Sequence, residues 1–323
     1  MPSSRDIKNR IKSISNTKKI TKAMEMVAAS KMRKAIEAVL RTRTYANLSW
    51  LTVLNLSESM KGKSETLHQL LTPRKEIKKV GIILITSNRG LCGGFNAAII
   101  NKVHESIKKY QKIGEEMIVE AEFVLIGKKG AAIHRHGQTV VADFPKLDLA
   151  SEVNEIVPVA NLIIGEYLNG KYDKVMVAYT DFVSSSKQAP RVKQILPIEI
   201  DKTDESLGIV GEDTRLGLDK EFIGDKEEKY LHSGKFNYEY TFEPSPEEVL
   251  DEMLPRLIEI QLYQALLESN ASEHSARMAA MHQATEAAGD MVGELTLSFN
   301  KARQAAITSE IAEISAGANA LAE

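Results

Sequence analysis

SRDIKNRIKSISNTKKITKAMEMVAASKMRKA, residues 4–35, decides the architecture, because it reads as one face of a long amphipathic helix. Ser3 or Ser4 can cap it, and Asp6 stands in the first turn, where a carboxylate suits the helix dipole. Apolar residues recur in triplets: Ile7, Ile11, Ile14; Ile20, Met24, Val27; Met32, Ile36, Val39; then Leu48 and Leu51. Each triplet keeps i, i+4, i+7 spacing, and the shifts between triplets read as stutters. No Pro or Gly falls between Pro2 and Gly62, so nothing breaks the run. Some fifty-odd helical residues at about 1.5 Å each give roughly 80 Å.

The other end of the chain carries the same kind of signal. Pro244, Ser245 and Pro246 supply a start, with Glu247 and Glu248 in the first turn. From there to Gly317 the foreseeable disturbances are Pro255, Gly289 and Gly293. The seam reads Leu250, Leu254, Leu257, then Ala284, Ala288, Met291, Leu295, Phe299, Ala302 and Ala306. So many alanines allow two backbones to approach closely, and the helix can reach about 100 Å. Two such stripes cannot be buried inside one small globule. They are expected to wind around each other as a rod with a compact domain at its side, which points to mechanical or scaffolding work before catalysis.

Between the helices the pattern changes. KKVGIILIT at 78–86 is a buried-strand run, followed by a Gly-rich turn and a helical period from Phe95 to Tyr110. EFVLI at 122–126, TVVA at 139–142 and KVMVAY at 174–179 read as further strands, with helices at 128–136 and 152–168 between them. A last strand at 192–200 is expected at an edge because of Pro197. Alternating strands and helices imply a mainly parallel sheet with right-handed crossovers, a Rossmann-like doubly wound α/β domain. The expected division is an N-terminal coiled-coil helix at 1–60, the α/β domain at 75–200, an excursion of hairpin and loop at 201–243 and a C-terminal coiled-coil helix at 244–323.

Composition narrows the function. Formal net charge over 323 residues is −2, which argues against a general nucleic-acid binder. The single cysteine, Cys92, excludes an intramolecular disulfide and points to a reducing compartment. The longest apolar run, 80–85, is far short of the roughly 20 residues a membrane helix needs, and no signal peptide is evident. The chain reads as soluble, with any membrane association made through a partner. Charge is nevertheless uneven, since residues 1–43 hold twelve Lys or Arg against Asp6, Glu25 and Glu37. That bias fits a solvated helix face, a nucleic-acid surface lacking stacking aromatics before Tyr45, or a basic shaft facing an acidic protein collar.

Candidate chemistry is sparse. NRGLCGGFN, 88–96, joins a strand to a helix as a phosphate-cradling turn would, but it lacks the Lys-Ser/Thr ending of a P-loop and does not fit G-x-G-x-x-G. A tight structural turn is the favoured reading, and GKKG at 127–130 repeats the temptation more weakly. His134 and His136 diverge on a helix and make no zinc pair. Cys92 has no evident base, and Ser184 to Ser186 is a loop run rather than a nucleophile elbow. No active site, cofactor or metal is expected.

SNTKKITKAMEMVAASKMRKA at 15–35, SNRGLCGGFN at 87–96, NASEHSARMAAM at 270–281 and LSFNKARQAAITSEIAEISAGANAL at 297–321 together resemble the gamma-subunit family of F-type ATP synthases. Ile307, Thr308, Glu310, Glu313, Gly317 and Ala318 fit that family's C-terminal signature. The resemblance implies a central rotor shaft without an active site of its own. Its partners would be alpha, beta and epsilon subunits and a c-ring, through which alone it would meet the membrane. It implies that Lys19, Met24, Arg277, Arg303, Gln304, Thr308, Glu310 and Glu313 touch the surrounding stator. It also implies a peripheral position on the cytoplasmic side of a bacterial inner membrane, with the thylakoid membrane as the alternative. The stretch 201–243 resembles an insertion of photosynthetic members but has no cysteine, so it is expected to act, if at all, as a passive or ratchet-like brake on ATP hydrolysis. A free-standing nucleotide-binding enzyme and a coiled-coil DNA-binding protein are the competing classes.

Overall fold

The computed structural model describes residues 4–60, 68–74, 76–113, 119–146, 153–185, 187–198, 243 and 245–322. The excursion expected at 201–243 lies almost wholly outside the described residues. Helix α1 runs Ser4–Met60 and α4 runs Pro246–Ala322, each unbroken. Pro255 lies inside α4 without ending it. The neighbouring Leu250, Leu254, Leu257 and Ile258 are all buried in one core, and that packing outweighs the backbone hydrogen bond a proline removes.

By its contacts the chain divides into two compact units, one made of residues 30–276 and the other of 1–29 with 277–323. The larger unit holds the sheet. Its elements are β1 (Lys79–Ile85), α2 (Phe95–Ile113), β2 (Glu120–Ile126), β3 (Thr139–Phe144), α3 (Val157–Leu168), β4 (Lys174–Phe182) and β5 (Gln188–Leu196). The strand order is β3-β2-β1-β4-β5. The first four strands are parallel neighbours and β5 pairs antiparallel with β4. The chain therefore builds outward from β1 through β2 to β3, then returns through α3 to the other side of β1.

Alternation along β1 explains why both faces must be covered. Ile83 and Ile85 enter one apolar cluster, shared with α3 and with Leu254, Leu257, Leu262 and Leu266 of α4. Val80, Ile82 and Leu84 enter a second, shared with Ile99, Val103 and Ile107 of α2. A strand buried on both sides reads as a continuous apolar run, as KVGIILI does. The expected doubly wound layout is present, with adjustments. Residues 128–136 form a 3₁₀ helix, closed by Gly137 in the left-handed conformation at φ 72°. The helix expected at 152–168 starts at Val157 because Pro158 suits a first turn. The edge strand starts earlier than 192 and carries Pro190, which an edge tolerates.

Candidate interaction surface of the terminal helices

In the smaller unit α1 and α4 run antiparallel. Thr285 Oγ1 lies 2.8 Å from Thr21 Oγ1, His282 Nδ1 lies 3.4 Å from Glu25 Oε1, and the Lys18 ammonium lies against Gly289. Most of the covered positions keep one heptad: Ile7, Ile11, Ile14, Thr21, Glu25 and Ala28 on α1, with exposed Lys18 at the intervening place, and Met281, Thr285, Ala288, Val292, Leu295, Phe299 and Ala302 on α4. The expected stutters are therefore absent. Ile20, Val27 and Met291, counted in the stripe by sequence, are 60%, 55% and 52% exposed. Polar Thr21 and Glu25 take the seam positions instead. The Glu25 carboxyl is held below the usual carboxylate range, chiefly by its hydrogen bond from Lys22 and against the pull of burial.

The eight expected contact residues fall into two groups. Lys19 is exposed on a broad groove lined also by Ser15, Lys18, Lys22 and Thr285; Met24 and Arg277 are half-buried. Arg303, Gln304, Thr308, Glu310 and Glu313 lie in 303–316, where every residue is exposed. At about 100° per residue these five positions spread around most of the helix circumference rather than forming one face. Within this stretch Thr308 Oγ1 donates to the Gln304 carbonyl at 2.9 Å and Ser309 Oγ to Glu313 at 3.1 Å. Three apolar side chains accompany them: Ile307, Ile311 and Ile314, 48%, 62% and 68% exposed.

The pairing register explains where exposure begins. Each step back along α1 is a step forward along α4, so at the register set by Thr21 and Thr285 the start of α1 at Ser4 comes opposite about residue 302. The heptad seam ends at Ala302, and every residue from 303 to 316 is exposed. Sequence reading missed this point because it followed apolar letters rather than a constant period.

The Gly-rich turn is closed on itself. Ser87 N–H donates to Asn96 Oδ1 at 3.0 Å, Ser87 Oγ to the Arg89 carbonyl at 2.8 Å, and the N–H of Phe95 to the Cys92 carbonyl at 3.2 Å. Cys92 is buried beside Ser87 and Asn96, as an inert thiol would be. Leu91 at φ 63° and Gly93 at φ 56° hold the bend. Ser87, Asn96 and the Phe95 N–H are thus engaged within the turn. His136 lies against His104 with ring centroids 5.1 Å apart and planes tilted by 42°, and burial, with Lys108 beside it, pushes the His104 imidazole below its usual range. Among the described residues no cluster of three His, Cys, Asp or Glu could hold a metal.

Comparison with known proteins agrees with this arrangement. The ATP synthase family profile named ATP-synt matches residues 3–321. The chain is a member of the ATP synthase gamma-chain family. It is 43% identical over 322 residues to the ATP synthase gamma chain of Heliobacterium modesticaldum, covering 99% of this chain and all of that one. It is 38% identical over 322 residues to the gamma chain of Legionella pneumophila strain Corby, with 99% and 100% covered. Among solved structures it resembles a chain of the Euglena gracilis mitochondrial ATP synthase (OSCP/F1/c-ring, rotational state 3), with TM-score 0.60, 17% identity and 98% and 94% of the two chains covered. A chain from the central stalk and c-ring of the Tetrahymena thermophila enzyme gives TM-score 0.56, 21% identity and 82% and 99% coverage. These two likenesses concern the fold, and the family rests on the sequence matches.

Proposed function

We propose that this chain is the central rotor shaft of a proton-translocating F-type ATP synthase. The carrying observation is the fully exposed stretch 303–316, which continues α4 past the end of its partner helix while keeping Ile307, Ile311 and Ile314 uncovered. Exposed apolar side chains on a long helix call for a partner surface. Five of the eight expected contact residues lie on that stretch and face several directions, which suits a ring of surrounding subunits better than a single docking face. Lys19, Met24 and Arg277 would meet the same stator lower on the pair, and the basic first helix suits an acidic collar.

In this reading the α/β part, residues 75–200, meets the epsilon subunit and the c-ring, and the helices 1–60 and 244–323 turn within alpha and beta subunits. Proton flow turns the ring and the shaft, whose unequal faces bias each beta subunit's conformational equilibrium in turn. The chain makes no covalent step; ATP chemistry belongs to the beta subunits. No helix among the described residues is long and apolar enough to cross a membrane, so membrane attachment on the cytoplasmic face would come through the c-ring. A disulfide between a cysteine at position 304 and a beta subunit in the reassembled complex is expected to stop coupled turnover, with activity returning on reduction. Full-rate proton-coupled synthesis with the cross-link formed would refute the rotor reading.

A further inference from the structure

Residues 268–275 of α4, ESNASEHS, are polar at every position but Ala271, and all eight are buried. A helix that is polar all round normally faces water. Here it is enclosed within the 30–276 unit, so its polar groups must be explained by what they grip. Among the described residues Ser269 Oγ, Asn270 Nδ2 and Ser272 Oγ are buried without a partner, whereas the fasteners, Glu268, Glu273 and Ser275, each meet a residue of the sheet part. The Glu273 carboxylate receives the Lys146 ammonium at 2.7 Å, with both side chains almost fully buried at 6% and 2%. Lys146 follows β3; its carbonyl accepts from Asn88 Nδ2 and its ammonium lies 5.8 Å from the Phe95 ring, so this fastener reaches the Gly-rich turn. On β4 Tyr179 is buried, and burial, with the Glu268 carboxylate beside it, pushes its phenol well above the usual range. Ser275 Oγ donates to the Ser185 carbonyl at 2.7 Å and accepts from Gln188 Nε2 at 3.2 Å, at the turn between β4 and β5.

Angular placement gives the fasteners a common purpose. Glu268 and Ser275 are seven residues apart and share a face, whereas Glu273 stands about 140° around the helix from Glu268. Grips on two widely separated sides resist rolling in both senses. Apolar packing specifies that angle less sharply, because it is non-directional. An ion pair with one short N–O contact fixes an angle as a polar residue in a coiled-coil seam fixes a register. Buried pairs add little net stability over apolar replacements, so stability does not explain their presence here.

We infer that residues 268–275 form a torsional key, through which turning force passes between the α/β part and α4. The inference rests on the rotor reading and adds to it the residues that bear the torque: Lys146, Tyr179, Glu268, Glu273 and Ser275. These are positioning residues that hold the angle of α4.

The test uses the reassembled complex in membrane vesicles, measuring ATP hydrolysis, protons pumped per ATP and the largest gradient sustained, beside thermal unfolding of each chain. The paired variant Lys146→Met with Glu273→Met removes the directional contact while keeping apolar volume. It is expected to unfold at or above the wild-type temperature and to hydrolyse ATP, but to pump fewer protons per ATP and to stall at a smaller gradient. Lys146→Glu and Glu273→Lys should each lose coupling singly and regain it when combined. Tyr179→Phe with Ser275→Ala, mild enough to keep the fold, should lower the stalling gradient through the other face. Wild-type pumping per ATP and wild-type stalling gradient in the Met pair or in the Tyr179→Phe, Ser275→Ala variant would overturn the key. So would a combined charge swap that folds normally yet stays as uncoupled as the singles. The rotor reading fails on a separate result, undiminished synthesis by the wild-type key when cross-linked at position 304.

Discussion

Replacing Gly127 by alanine separates a structural turn from a ligand-binding one. Gly127 has φ 103°, and an added Cβ would lie 2.4 Å from the Thr86 carbonyl oxygen. Backbone strain of this kind costs of order 1–3 kcal/mol. The clash cannot be relieved cheaply, because Thr86 N–H donates to Ile126 at 2.8 Å, Thr86 Oγ1 to Gly127 at 2.9 Å and Gly127 N–H to Phe144 at 3.1 Å. Moving either strand end sacrifices one or two of these bonds, at about 1 kcal/mol each. The total is about 2–5 kcal/mol, which in a unit of this size lowers the melting temperature by about 4–20 °C. The assay is thermal unfolding of the full chain, followed through the near-ultraviolet signal of buried Tyr167, Tyr172 and Tyr179. Two controls calibrate it. Gly90 has open space and no positive φ, so its alanine variant should stay within about 0.5 kcal/mol of wild type. Gly137, at φ 72° with open space, carries strain alone and should lose about 1–2 kcal/mol. An alanine at 127 as harmless as one at 90 would refute the reasoning and return GKKG to the ligand-binding candidates.

Two further outcomes are expected. The Tyr172 phenol, pushed up to about 12 by burial and then by its 2.8 Å hydrogen bond to Glu122, favours the protonated folded state. Its contribution to stability is therefore complete below the unfolded value of about 10 and lost as pH rises from there toward about 12; denaturation across that window should lose this alkaline decline in Tyr172→Phe. Deleting residues 203–236 in the reassembled complex should raise ATP hydrolysis relative to synthesis if that segment brakes hydrolysis, and an unchanged ratio would remove the brake.

The fold was legible wherever burial left a long periodic trace. KVGIILI announced a two-sided central strand, and the unbroken runs at both ends announced α1 and α4, because a 57-residue helix without Pro or Gly has few alternatives. The seam was harder. Thr21 and Glu25 occupy positions that an apolar search skips, so Ile20 and Val27 were drawn into the stripe although both face outward. The buried polar stretch 268–275 was invisible for a related reason. ESNASEHS has the composition of a solvent face, and only the surrounding Lys146, Tyr179 and Ser185, 83 residues or more away in sequence and so unrelated to it by any local period, reveal that it is enclosed. The turn at 87–96 was legible as structural because its motif lacked a phosphate-binding lysine, and Asn96 turning back on Ser87 supplies the physical cause.

The seam's polar residues bear on how the pair keeps its register. A seam of Ile, Leu and Ala presents similar surfaces one heptad along, so apolar burial alone discriminates weakly between registers. Thr285 changes that. Its hydroxyl is buried, donating to the Met281 carbonyl at 2.7 Å and meeting Thr21 Oγ1 at 2.8 Å. A slip of one heptad would bring Ile14 or Ala28 to that place and forfeit the partner-side hydrogen bond, about 1 kcal/mol, while Thr285 kept only its bond to the Met281 carbonyl. Glu25, between Lys22 at 2.9 Å and His282 at 3.4 Å, would lose its histidine in the same slip. Sliding along the seam is thus opposed by side chains whose replacement with larger apolar groups would hold the helices together equally well. The same logic, applied to rotation rather than translation, accounts for Glu273 and Lys146: in both places the polar group sets a position that apolar packing would specify less sharply.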